Sequence, residues 1–149
     1  MTNPSPLTTL IGLAQDDVDA AAQRLGRLTR ERDEVKQQLD ALVVYRDEYH
    51  ARFTESARGG MPAGNVRNFQ AFIDTLDTAI AQQQRLLEQA NARLDAAKPE
   101  WRRHKQKLGS YEVLQARSDA VEARKTERRE QRDADEHAAR VLRLRASNP

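Results

Sequence analysis

Apolar residues recur over the first third of the chain in alternating steps of four and three. The series is Leu7, Ile11, Ala14, Val18, Ala21, Leu25, Leu28, Arg32, Val35, Leu39, Leu42, Arg46, Tyr49 and Phe53, with Arg32 and Arg46 as its polar interruptions. That spacing is a heptad seam, with Ile11 to Phe53 at a, Leu7 to Tyr49 at d, and one stripe of a helix facing a partner. The rhythm stops at Arg58-Gly59-Gly60-Met61-Pro62-Ala63-Gly64-Asn65 and resumes as Phe69, Ile73, Leu76, Ile80, Gln83, Leu87, Ala90, Leu94, Ala97, Trp101, His104, Leu108 and Tyr111. Two glycines free the backbone at the break, Pro62 cannot continue the first helix, and Asn65 suits the cap of a second. The pattern predicts an all-α chain: a long antiparallel two-helix coiled-coil hairpin. Its helix 1 covers about residues 6–57, its tip loop about 58–65 and its helix 2 about 66–145. Ser5 with Pro6 reads as the cap and first turn of helix 1, behind a short disordered lead.

Folding the chain at the tip so that Phe53 meets Phe69 places a against d in every layer, as antiparallel pairing requires. Large residues then fall opposite small ones. Trp101 faces Ala21, Leu108 faces Ala14, Ala97 faces Leu25, Ala90 faces Arg32, and Tyr111 meets Ile11. Layers of that kind interdigitate without voids. The same register brings oppositely charged g positions together, Asp17 with Lys107, Arg24 with Glu100 and Glu31 with Arg93. Exposed pairs contribute at most about 1 kcal/mol each, so their use is to select orientation and register.

Pro99 lies inside helix 2 at f, farthest from the partner, so a bend rather than a break is expected. Helix 1 runs out opposite about residues 114–116. Beyond it the sequence stays rich in Ala, Arg, Glu and Lys but shows little apolar face, which predicts a helical overhang of about 40 Å at about 1.5 Å per residue. Its helicity rests on propensity and charge pairs, so it should fray without a partner.

Composition agrees with an elongated helical protein. Of 149 residues 38% are hydrophobic and 32% charged, too polar for a compact core. There is no cysteine, which excludes disulfides and thiolate metal sites and fits a reducing cytosol. No apolar run reaches membrane-spanning length, and Asp16 and Asp17 soon follow Leu13, so neither a membrane helix nor a signal peptide is expected. The formal charge of +2 comes from both signs intermixed. That mixture describes solvated faces better than a patch for nucleic acid, and the segment Arg128-Arg129-Glu130-Gln131-Arg132-Asp133 interleaves acids with bases rather than forming a basic arm. His50, His104 and His137 are too far apart along a hairpin to hold a metal, and Gly59-Gly60 lacks the Gly-Lys-Ser/Thr of a phosphate loop. The reading is a non-enzymatic chain with no cofactor, monomeric when free because its seam is closed within one molecule. Nucleic-acid binding and a generic coiled-coil scaffold are the alternatives.

One surface resists description as a solvated face. Toward the tip the g positions change from charge pairs to Gln38, Tyr45, Phe72, Ala79 and Leu86. With Leu42, Tyr49, Leu76 and Gln83 of the seam these form a broad apolar and aromatic strip on one flank. Aromatic-rich exposed strips are docking surfaces, with tyrosine and phenylalanine as anchors; the bland reading is that Tyr45 and Phe72 thicken the seam around Arg46.

Several blocks carry a resemblance. They are Leu-Ile-Gly-Leu-Ala at 10–14, Ala21 to Gly26, Leu42-Val43-Val44-Tyr45-Arg46-Asp47-Glu48-Tyr49, Asn68 to Ile73, Ala79-Ile80 with Gln82, Glu100-Trp101, Leu114 to Arg117, and Glu130-Gln131 before Asp135-Glu136. Jointly, in order and separation, they resemble the FliJ family of flagellar export proteins over nearly the whole chain. The resemblance implies a component of the bacterial flagellar type III export apparatus, folded like the central stalk subunit of rotary ATP synthases. It implies association with the hexameric export ATPase, FliI, docking on the export gate protein, FlhA, and escort of export chaperones. It places the chain in the cytoplasm, peripheral to the inner membrane. The gate-contacting surface is implied at Gln38, Leu42, Tyr45, Tyr49, Phe72, Leu76, Ala79 and Gln83, where relatives can carry histidine at position 83. The ends away from the tip are implied to enter the ATPase ring.

Overall fold

The structure, a computed structural model, describes residues 5–148. Two helices account for it, α1 (Pro6–Arg58) and α2 (Ala63–Ser147). Of the lead expected over residues 1–5, residues 1–4 lie outside the described residues. Between the helices the chain turns at Gly60, whose φ of 86° lies in the region that side chains disfavour, while its amide donates to the Ala57 carbonyl at 3.2 Å. The second helix starts three residues before the expected Val66. The Pro62 carbonyl accepts from the amides of Asn65, at 3.0 Å, and Val66, at 3.2 Å, so Asn65 sits inside the first turn and does not cap it. Proline serves at a helix start because no earlier carbonyl needs its missing N–H.

The chain divides into two compact units, Asp17–His104 and the stretches 1–16 with 105–149. In the first, the hairpin unit, the seam positions of α1 are half-buried from Val18 through Ala21, Leu25, Leu28, Val35, Leu39 and Leu42 to Phe53. On α2 the seam holds the most buried residues, Ile73, Leu76, Ala90, Leu94 and Ala97, each at most 7% exposed. Ile80, Leu87 and Trp101 are half-buried. Two helices cannot surround the largest side chains, so the aromatic seam residues Tyr49, Phe53, Phe69 and Trp101 keep an open edge. Phe53 and Phe69 meet at 5.4 Å between ring centres with their planes tilted by 39°, in the layer that the heptad register predicts. Pro99 lies within α2, which continues through it as expected.

The flank charges behave differently from expectation. Within this unit an ion pair at 2.9 Å joins Arg46 of α1 to Asp77 of α2, while the expected g-position pairs Arg24–Glu100 and Glu31–Arg93 do not close. Long exposed side chains gain too little from one another to be held in one geometry. Arg32, the other seam arginine, pairs with its neighbour Asp33 at 2.8 Å.

In the terminal unit Ala14 and Leu108 are buried, and Leu7, Ile11, Tyr111 and Gln115 are half-buried. Ser5 caps α1 as expected: its Oγ accepts from the Thr8 amide at 3.1 Å. From 116 to 138 every residue is exposed, and α2 is nonetheless helical. Local pairs support it, with Gln115 Nε2 donating to Asp119 at 2.9 Å, Lys125 pairing with Glu122 at 3.6 Å, and Gln131 Nε2 donating to Asp135 at 3.4 Å.

Candidate functional site

Five aromatic rings meet on the hairpin unit near the turn, and their positions follow from the heptad. Phe53 at a and Tyr49 and Phe69 at d belong to the seam; Tyr45 and Phe72 at g stand beside it. Tyr49 is the hub, with its ring centre 4.7 Å from Phe72, 5.1 Å from Phe69 and 6.4 Å from Tyr45. Tyr45 meets Phe72 edge to face across the helices at 6.3 Å and 83°, an arrangement the ring quadrupoles favour. The cluster is layered. Tyr49 is half-buried beneath, while Tyr45 and Phe72 lie above it at 43% and 38% exposure.

The eight residues expected to form the strip therefore separate by role. Gln38, Tyr45 and Phe72 are exposed, and Leu42, Tyr49, Ala79 and Gln83 are half-buried. Leu76 is 7% exposed and belongs to the floor of the strip. Gln83 is engaged within the hairpin: its Nε2 donates to the Val35 carbonyl at 3.1 Å and to Gln38 Oε1 at 3.0 Å. An amide at a seam position finds its partners across the interface because leaving a half-buried donor unpaired is costly. Leu86, at g beyond Gln83, is 47% exposed and continues the same flank.

Sequence reasoning missed the partner of Arg46. Its guanidinium reaches Asp77 at 2.9 Å and Asp47 at 3.5 Å, and hydrogen bonding to Asp77, then its charge, hold Arg46 above the ordinary arginine range. The signal was present. A charged residue at a faces d of the partner, here Leu76, and the next residue along, Asp77 at e, carries the compensating carboxylate. That leaves the opposite flank, with Tyr45 and Phe72, free of charge pairing.

A family model for the flagellar FliJ protein matches residues 3–147. This chain belongs to the FliJ family of flagellar export proteins. Among its FliJ relatives, the flagellar FliJ protein of Salmonella typhi is 34% identical over 141 residues, covering 95% of this chain and 96% of the relative. The flagellar FliJ protein of Escherichia coli strain K12 is 33% identical over the same shares. A solved YscO-homolog structure, CT670 from Chlamydia trachomatis, aligns with 99% of this chain and all of its own at a TM-score of 0.46 and 18% identity. No helix among the described residues is long and apolar enough to cross a membrane.

Proposed function

We propose that this FliJ-family chain couples the export ATPase to the export gate and performs no chemistry itself. Its hairpin unit docks on the cytoplasmic part of an FlhA-type gate protein through Tyr45 and Phe72, with Gln38, Leu42, Tyr49, Leu76, Ala79 and Gln83 forming or supporting that surface. Its terminal unit enters the ring of a FliI-type ATPase hexamer, and the chain escorts export chaperones. It works in the cytoplasm, at the inner face of the membrane that holds the gate, as a monomer when free. α2 runs unbroken from one unit into the other, so a nucleotide-dependent strain felt by one has a helical path to the other.

The observation that supports the docking role is the layered aromatic cluster: two exposed rings, Tyr45 and Phe72, supported from beneath by the half-buried ring of Tyr49. Such preorganised rings bind at low entropic cost. The test titrates the gate protein's cytoplasmic domain with the wild-type chain and with Tyr45→Ala/Phe72→Ala, while circular dichroism follows helicity. An affinity loss of about 100-fold, or about 2.7 kcal/mol, at unchanged helicity is expected for two truncated anchors. Equal affinity refutes the docking assignment.

A further inference from the structure

On the flank that holds Tyr45 and Phe72, the g positions of α2 are Phe72, Ala79 and Leu86, one heptad apart. The outer two are 38% and 47% exposed, and the small residue between them is half-buried. At about 1.5 Å per residue Phe72 and Leu86 lie about 21 Å apart, with a notch at Ala79 between them. The α1 side of the notch is lined by Tyr45 and by Gln38, whose amide oxygen is tied down by Gln83. Two apolar posts flanking a gap, in line with a helix axis and spaced by heptads, match the side chains of another α-helix lying alongside.

The rims of this groove differ in charge. The α1 residues at c border the g row, and they are Glu34, Ala41, Glu48 and Glu55; the corresponding α2 residues are Asn68, Thr75, Gln82 and Gln89, all of them exposed. The α1 edge carries three carboxylates, Glu34, Glu48 and Glu55, with Arg52 at g beside the last two and Arg58 paired with Glu55 at 3.7 Å, so its acidic character is strongest at Glu34 and Glu48; the α2 edge is neutral.

We infer that this groove takes an amphipathic α-helix of a partner protein, about four turns long, with a large apolar side chain over Ala79 and lysine or arginine along the edge that faces α1. The inference rests on the docking role proposed above and names the kind of element that docks. Leu86 becomes a specificity-determining contact that the eight-residue strip omits, and the basic edge sets which way round the helix lies.

The probe is a synthetic 21-residue amphipathic helix with leucine at heptad spacing and lysine on one edge, paired with a control carrying glutamate on that edge. Titration against the full chain by fluorescence anisotropy should show binding of the lysine peptide, about tenfold weakened by Leu86→Ala and also by Ala79→Glu, which puts a charge in the notch. Helicity of both variants is checked by circular dichroism, and Leu13→Ala, in the terminal unit, should bind as wild type. Equal binding of the glutamate control, or indifference to both groove variants, overturns the inference. So does sedimentation showing a dimer that Tyr45→Ala dissociates, since a second copy would then be the occupant. The same variants titrated with the gate domain separate the two proposals. Loss of peptide binding with unchanged gate binding leaves the groove standing and removes the gate from it. Gate binding that needs Tyr45 and Phe72 but ignores Leu86 and Ala79 retains docking and rejects the helix.

Discussion

The hairpin unit and the long C-terminal part of α2 in the terminal unit are equally helical for unlike reasons. From Asp17 to His104 the chain buries a seam, with five residues at most 7% exposed. From 116 to 138 every side chain is open to water. The first stretch is helical because burial holds it so, the second because alanine and alternating charges favour helix locally. A helix kept by packing tolerates few changes to one face and displays its flanks in fixed positions. One kept by propensity tolerates change everywhere and gains a face only against a partner. The aromatic cluster falls on the first kind, where rings can be held ready for docking.

The contrast breaks most visibly if a charge is placed in each region. Leu94→Asp, at a position 5% exposed, should cost about 4 kcal/mol or more, since a carboxylate there has no partner, as read from urea unfolding. Leu142→Asp, at 66% exposure, should stay within about 0.5 kcal/mol. Similar costs at the two sites would mean that both regions bury a face.

Removing everything after Ala116 sharpens the functional side. The unfolding free energy of the hairpin unit should hold to within about 1 kcal/mol, because none of the buried core residues lies in the removed segment, while stimulation of the ATPase hexamer should drop severalfold. Full stimulation by the shortened chain would exclude ring entry by this segment.

The smallest effects concern glycine. Gly109 lies within α2 with nothing near where a Cβ would project, so Gly109→Ala should stabilise by about 0.5–1 kcal/mol. Gly60→Ala, although equally uncrowded, should destabilise by about 1 kcal/mol, because its φ of 86° strains any side chain. Calorimetry giving the two the same sign would place the hairpin turn in another conformation.

Much of this molecule was legible in the residue order. Four-three spacing places Ile73, Leu94 and Leu108 inside, Ser5 before Pro6 marks the start of α1, and a break rich in glycine and proline marks the reversal. These are local signals, set by the pitch of a helix and by the backbone preferences of single residues, so they need no knowledge of what lies across the seam. The start of α2 escaped because Pro62 competes with Asn65 for the role of helix start, and both are plausible from sequence.

What only tertiary structure decided is how each residue beside the seam spends its reach. Heptad letters assign Leu76, Gln83 and Tyr49 to one strip, yet Leu76 becomes floor, Gln83 bonds across to Val35 and Gln38, and Tyr49 supports the rings above it. Arg46 found Asp77, whereas the flank charges Arg24 and Glu100 found no such closure. Periodicity fixes the direction in which a side chain leaves its helix. Length, rotamer and the competition between water and a facing residue determine where it ends, and those are settled only when two helices are brought together.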